Sequence, residues 1–463
     1  MKRIARPSRP FCRGPKYGAE LSDNQKKSRR GGLRRNLSWT FSGQLVVSLV
    51  AVATLFITAR ALGAAALGVL ALVEAYVRLI DLIFRLEPWQ AVIRFGVRAH
   101  DAGDDAALAR LVKLSLLVDA AGGALAGLVC LLTAPFLAPL TGLPAGTGVH
   151  YVQLVALGLF LSFRPTALAV LRIFDRFDVL ARIDVASALL RLALTAAAWL
   201  AGLGLWAFVL LLLLQSLMDG LLALVFALRL LRRRGVRGVA GADWRRALAE
   251  NPGFLRFLWN SNVNVILRQS VNRLDVLVVG ALLDLRAVGF YQLGKRVMNR
   301  ATKLAAPLRQ VVFPELSRLW SRGQHARFNR MVLRMSLAIL AVQLVVAVPI
   351  LLNLEAVIRL IFGPDYAGAG PVMAILLVSS IVYASGIILN PALLAMGRDR
   401  LLVRATTVSA VLMAASFVPL VMAYGVEGAA LANLGFNLAW TAGCLLGFRH
   451  VRGSLGGRDP SGG

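Results

Sequence analysis

"NRLDVLVVGALLDLRAVGFYQLGKRV", residues 272–297, decides the fold. In its second half Gly289, Gly294 and Lys295 stand at the spacing G-x-x-x-x-G-K of a phosphate-cradling loop, with Arg296 where a Ser or Thr would hold magnesium. Such a loop needs a strand before it, a helix after it and a soluble nucleotide-binding domain around it. Here an apolar run leads into a short polar loop at 284–287, and a second helical run begins. The stretch reads as the end of one membrane span, a tight turn and the start of the next. It is not an ATP site, so Lys295 serves some other purpose.

Composition extends that reading to the whole chain. Of 463 residues, 58% are hydrophobic and 16% charged, against about 45–50% and about 25% for soluble domains. Spans need about 20 mostly apolar residues, and twelve are expected, at 37–58, 65–86, 109–131, 150–171, 181–201, 204–228, 254–279, 287–308, 331–352, 371–395, 402–423 and 426–447. No polar stretch is left over for a soluble domain. A net charge of +29 raises the question of nucleic acid, but the charge lies in short loops between apolar runs, the footprint of topology and anionic lipid. Nucleic acid is therefore set aside as a partner.

The basic residues fall on one side. The N-terminal tail (Lys26, Lys27, Arg29, Arg30, Arg34, Arg35), Arg94 with Arg98, Arg172 with Arg176, the 232–246 arginines, Arg318 with Arg322, and Arg398 with Arg400 alternate with loops holding little beyond Arg60, Arg286 and Arg359. The positive-inside rule then puts both termini in the cytoplasm. The tail, residues 1–36, is too polar and too long before the first apolar run for a cleavable signal peptide. Its first 30 or so residues are expected to be disordered.

Six spans (37–228) precede an inner loop at 229–253, and six (254–448) follow it, leaving a short cytoplasmic tail at 449–463. The halves echo each other: "RALGAAALG" (60–68) and "GALLDLRAVG" (280–289), "RPTALAVLRIFDRF" (164–177) and "NPALLAMGRDRL" (390–401), "GLGLWAFVL" (202–210) and "AYGVEGAAL" (423–431). Repeats of six spans keep one orientation and are related by an axis along the membrane normal. The expected fold is all-α: a polytopic bundle of about 12 transmembrane helices in two parallel-related six-helix lobes around a central cavity.

Charges inside spans are costly and mark cavities or partners. Lys295, Arg296, Arg300 and Lys303 share one broad face of the eighth span by helical spacing. Either that span lies at the headgroups and binds ordinary anionic lipid, or its cations face an anion site. In the second span Glu74, Arg78, Asp81 and Arg85 recur at steps of four, three and four, with opposite signs adjacent. That face is either a structural ladder of ion pairs or a cavity wall touching substrate or protons. Asn264, Arg268, Asn272 and Asp275 share a face of the seventh span, from which Arg273 points away. Arg164 sits beside Pro165 deep in the fourth span, where the proline frees a carbonyl. Arg191 and Asp219 read as single structural partners. Glu74, Asp81 and Asp275 are the carboxylates placed to titrate during transport.

Four scattered histidines and three cysteines (Cys12, Cys130, Cys444) give no metal-ligand spacing. No nucleophile–base set stands out either, so neither cofactor, metal nor catalysis is expected.

Several stretches, in order, resemble the polysaccharide (O-antigen type) flippases of the multidrug/oligosaccharidyl-lipid/polysaccharide exporter superfamily. They are "NLSWTFSGQ…ITARALGAAALGVLALVE" (36–74), residues 272–297, "VVFPELSRLW" (311–320), "LIFGPDYAGAGPVMAILLVSS" (360–380), "LLAMGRDRLLVRA" (393–405) and "YGVEGAALANL" (424–434). Gly289, Tyr291 and Lys295 match that family's Gly-x-Tyr…basic pattern, and Gly294 departs from its more usual alanine. The resemblance implies a bacterial inner-membrane flippase that carries an undecaprenyl-pyrophosphate-linked oligosaccharide to the outer leaflet by alternating access, without ATP. It further implies that Lys295, Arg296 and Arg300, with Arg268 and Arg273, receive the pyrophosphate, and that Arg78 contributes more weakly. Membrane lipids, and the polymerase and glycosyltransferases of surface polysaccharide synthesis, are the implied partners. The alternatives are a cation-coupled drug exporter of the same fold, in which acidic cavity residues would dominate, and a glycan-processing membrane enzyme, for which the outer loops are too short.

Overall fold

The computed structural model describes residues 23–303 and 306–456, with side chains described for all but 23–38, 40, 264, 267–272, 301–303, 306–311 and 452–456. Among these residues every regular element is helical. The first lobe comprises α1 (Asp23–Phe84), α2 (Trp89–Asp101), α3 (Asp105–Leu140), α4 (Thr147–Ala156), α5 (Arg164–Ile173), α6 (Phe177–Leu200) and α7 (Leu205–Arg233). A connecting segment carries α8 (Trp244–Glu250). The second lobe comprises α9 (Phe254–Leu282), α10 (Leu285–Lys303), α11 (Ala306–Ser321), α12 (His325–Leu352), α13 (Leu354–Ile361), α14 (Gly370–Gly386), α15 (Leu389–Ala395) and α16 (Asp399–Gly456).

The expected spans map onto these elements once two helices are read as pairs. The apolar part of α1, Phe41–Phe84, is 44 residues long, about 66 Å at ~1.5 Å per residue, twice the ~30 Å of a bilayer core. It turns back at Gly63, whose φ of 72° favours glycine. In the same way α16 turns at Gly425, with φ 59°. Among the described residues eight segments are long and apolar enough to cross a membrane, counting each of these as one. α9 and α10, the helices of the second lobe that meet α1, are more polar than these, with Asn, Gln and charged residues among their apolar ones. The chain is thus a multi-pass membrane protein with its apolar side chains turned outward, as at Leu200, Val345 and Met422.

Two spans are broken in corresponding places. The fourth runs through α4, a 3-10 turn at Leu157–Leu159 and α5, which opens with Pro165 in its first turn. The tenth runs through α14 and α15, with Pro391 near the second break. Proline lacks the N–H for the helical ladder, so each break falls where the repeated "R/N-P" motif stands. Of the basic tail, residues 1–22 lie outside the described residues, while 23–36 continue as helix into α1. The segments expected as loops at 86–109 and 229–253 hold the short helices α2 and α8.

The lobes meet along α1, α9 and α10, with a shared core of Val69, Leu72, Val276, Val279, Val288 and Tyr291. At the end remote from the termini they are sealed. A β-carbon added at Gly68 would lie 2.0 Å from the Leu285 carbonyl oxygen, and one at Gly289 2.1 Å from that of Ala64. One at Gly142 would meet the Gly280 carbonyl at 2.0 Å. Arg60 donates to the Leu360 carbonyl at 2.8 Å, and Tyr366 to that of Ala59 at 3.3 Å. At the other end the Glu87 amide donates to Asn262 Oδ1 at 2.8 Å, tying the end of α1 to α9.

A candidate anion cleft between the lobes

The near-phosphate loop is ordinary helix within α10. Its glycines serve packing: Gly289 lies against α1, and a β-carbon at Gly294 would approach Leu376 at 2.8 Å. Lys295 and Arg296 follow on adjacent faces and take different roles.

Lys295 is buried and forms an ion pair with Asp275. Asp275 also accepts from the Tyr291 hydroxyl at 2.9 Å and from the Val276 amide at 2.7 Å. This set lies within the second lobe and ties α9 to α10. Lys295 thus lends the cleft a positive wall whose charge is already matched by a carboxylate.

Arg296 crosses to the first lobe. Its Nη2 lies 2.7 Å from Glu74 Oε2, while Arg78 Nε holds Glu74 Oε1 at 2.9 Å. One carboxylate is therefore gripped by a guanidinium from each lobe. Around it a cleft of 160 Å³ is lined by Glu74, Arg78, Arg273, Gln292, Lys295 and Arg296, with Asn299 alongside. Four cations and one carboxylate line it, and one of the cations, Lys295, is matched by Asp275. Arg273 lines this cleft, whereas Asp275, on the face from which helical spacing turns Arg273 away, pairs with Lys295 and does not line it. The packing of α9 against α1 turns the Arg273 side inward.

Other charges expected at the site lie elsewhere. Arg164 stays within the first lobe, 2.7 Å from Asp184 and 3.8 Å from Asp219. Asp81 pairs with Arg85 at 3.0 Å, and Arg85 donates to the Leu159 carbonyl at 2.8 Å. The ladder of α1 thus consists of two i,i+4 pairs, of which Glu74–Arg78 takes a direct partner from the second lobe, Arg296. Arg300 is half-buried one turn beyond Arg296. The side chains of Asn264, Arg268, Asn272 and Lys303 lie outside the described residues. Beyond the end of the second span, burial pushes the Glu87 carboxyl above its ordinary range, and Asp81 adds to that push.

The sequence reading passed over two carboxylates inside spans, Asp119, which is buried, and Asp184, which is half-buried. Asp119 is 1% exposed and accepts from the Thr166 amide at 3.0 Å, capping the first turn of α5. Asp184 is the close partner of Arg164. Asp119 is a lone acid among apolar neighbours and Asp184 follows Arg182 closely, so neither gave a spacing to interpret. A further buried network, Ser379, Asn433 and Asn437, ties α14 to α16 with its bonds satisfied. No cluster of His, Cys, Asp and Glu with metal-holding geometry occurs among the described residues.

Inner membrane protein YghQ of Escherichia coli (strain K12) is 26% identical over 338 residues, covering 72% of this chain and 94% of that protein. The probable low-salt glycan biosynthesis flippase Agl15 of Haloferax volcanii is 24% identical over 160 residues, 35% of this chain and 34% of that one. Among solved structures, an inward-facing multidrug resistance MATE family transporter superposes with a TM-score of 0.67 at 14% identity, covering 90% of this chain and 98% of that one. Lipid II flippase MurJ in an inward closed conformation gives 0.61 at 12%, covering 88% and 87%. The fold is thus that of the MOP superfamily transporters. Residues 57–371, from the last turn before the Gly63 bend to the start of α14, match the polysaccharide biosynthesis protein family, and the chain belongs to that family.

Proposed function

We propose that this chain is an inner-membrane flippase that moves an undecaprenyl-pyrophosphate-linked oligosaccharide from the cytoplasmic to the outer leaflet. Family membership, and the likeness to the glycan biosynthesis flippase Agl15 and the lipid II flippase MurJ, support a lipid-linked glycan as cargo. The observation that carries the reading is Glu74, held at 2.9 Å by Arg78 and at 2.7 Å by Arg296. A diphosphate offers the same kind of oxygen with more charge. On entering the cleft it takes Arg78 and Arg296 from Glu74, with Arg273 and the positive wall at Lys295 adding to the attraction. Placed cations offset part of the cost of drawing a multivalent anion into a low-dielectric slab.

Because the two guanidiniums come from different lobes, the same exchange breaks a lobe–lobe link and replaces it with one through the cargo. That gives substrate a differential hold on the closed and open arrangements, which a population shift requires. The polyprenyl tail stays in lipid, and no bond is made or broken. With the termini cytoplasmic, as the arginine distribution favours, the sealed end faces outward. Glu74, Asp81 and Asp275 are the carboxylates available for coupling to an ion gradient. Glycosyltransferases would supply the cargo and a polymerase would consume it.

Mass spectrometry of polyprenyl-linked glycans in cells lacking the protein tests this. One glycosylated intermediate should accumulate while a surface polysaccharide is lost. Unchanged lipid-linked glycans would overturn the proposal and favour a cation-coupled exporter of the same fold.

A further inference from the structure

A second, larger cavity of 280 Å³ lies wholly within the first lobe, walled by α1, α5, α7 and the 3-10 turn before α5. It shares Glu74 and Arg78 with the cleft, so the two spaces adjoin at that ion pair. Their chemistry differs. The cleft is walled mainly by cations, whereas in the chamber the carboxylates of Glu74, Asp81, Glu87 and Asp219 outnumber the guanidiniums of Arg78, Arg85 and Arg164. An anion is drawn to the first space and turned away from the second.

The chamber suits an uncharged, many-hydroxylated ligand. Arg164 Nη1 stands 3.8 Å from Asp219 Oδ1, beyond hydrogen-bonding range, so both keep capacity for other partners. Arg85 is fixed by Asp81 and the Leu159 carbonyl. On α7, Gln215 and Ser216 add uncharged groups that both donate and accept, and Trp89 supplies an aromatic wall. The volume lies near the low end of the ~300–1,000 Å³ of small-molecule pockets. That is room for roughly one or two ring sugars and not for a chain.

We infer that this chamber is a glycan subsite: it receives the sugar nearest the diphosphate while the diphosphate sits in the cleft. The inference rests on the flippase reading above. It assigns glycan recognition to the first lobe and phosphate recognition to the seam, so that one cargo molecule engages both.

The test uses the full chain purified from native membranes, with mass spectrometry of the polyprenyl lipids that stay bound and calorimetry of inorganic pyrophosphate binding. Ser216→Phe fills the chamber, and Gln215→Leu removes an amide at similar volume, so a folding failure in the first does not decide the matter. Wild type should retain glycosylated over bare polyprenyl diphosphates. Both variants should lose the glycosylated lipid by about tenfold or more, a change of ~1.4 kcal/mol, and keep wild-type pyrophosphate affinity. Arg296→Ala should lose both ligands. Glycosylated lipid retained unchanged in both variants, pyrophosphate affinity falling in step with it, or no preference for glycosylated lipid in wild type would overturn the subsite. Wild type holding no polyprenyl diphosphate at all would instead sink the flippase reading beneath it.

Discussion

Gly68 and Gly289 each lie against the carbonyl of the residue four positions before the other, Leu285 and Ala64. Such reciprocity is what a twofold axis between the lobes produces, and the two glycines close the segments that echo each other in sequence. Here α1 and α10 approach so closely that neither position has room for a side chain. Since the seam closes one end of the bundle, its opening is required for cargo to leave there.

Adding a methyl group at this seam should hold it open. Gly68→Ala and Gly289→Ala each place a carbon about 2 Å from a backbone oxygen, and overpacking of this kind costs ~1–3 kcal/mol. That shifts a two-state equilibrium by ~5–150-fold. Maleimide labelling of a single cysteine at Leu285 should therefore rise several-fold in either variant, while transport falls. Gly146→Ala, where nothing lies within 4 Å, separates loss of seam packing from backbone strain, since its φ is 79°. Labelling of the two seam variants at the wild-type rate would mean that the helices adjust locally without opening.

Glu74 is predicted to act as a stand-in for the cargo's phosphate. Glu74→Gln removes its charge and leaves Arg78 and Arg296 to an incoming anion. Pyrophosphate should bind about tenfold more tightly, a gain of ~1.4 kcal/mol. Transport should fall, because the empty protein loses the charged link between the lobes in the cleft and resets more slowly. Calorimetry in lipid nanodiscs and flipping in proteoliposomes measure the two effects separately. Weaker pyrophosphate binding would show that Glu74 organises the arginines and does not compete for them.

Position along α10 should grade the effect of losing a cation. Arg296→Ala removes a group that lines the cleft and spans the lobes, and losing a charged hydrogen-bonding partner of that kind costs ~1.5–3 kcal/mol, or about 10–150-fold in affinity. Arg300→Ala, one turn on, should cost less, and Arg322→Ala, exposed in the connection between α11 and α12, close to nothing. Transport rates of the three variants side by side give the order. Equal losses at all three would reduce the α10 cations to lipid anchors.

Much of this architecture was legible because the membrane imposes strong rules. Apolar run length located the spans, while the breaks beside Pro165 and Pro391 fall inside stretches expected as continuous spans. The pairing of Glu74 with Arg78 follows from i,i+4 spacing. That Glu74 also takes Arg296, 222 residues away, follows only from how the lobes dock. That Arg273 lines the cleft and Asp275 does not has the same origin, since helical spacing fixes angles on α9 but not which angle meets α1. Gln215 and Ser216 escaped notice because they are uncharged residues in a leucine-rich run, and Asp119 because a single acid has no pattern. Lys295 matched a cargo-binding pattern, yet its charge is held by Asp275, a partner twenty residues earlier in sequence.

That pair gives the last prediction. Lys295 and Asp275 are both buried, and breaking a buried ion pair by removing one partner costs ~3–5 kcal/mol because the other charge is stranded. Lys295→Met and Asp275→Asn should each lower the thermal unfolding temperature in detergent far more than Arg296→Ala does. Combining the two removes both charges, so the double variant should recover most of the lost stability, as apolar replacement of a buried pair is often near neutral. If instead Lys295→Met leaves stability intact and abolishes pyrophosphate binding, the lysine is a direct ligand of the cargo, and Asp275 is its counter-ion only while the cleft is empty.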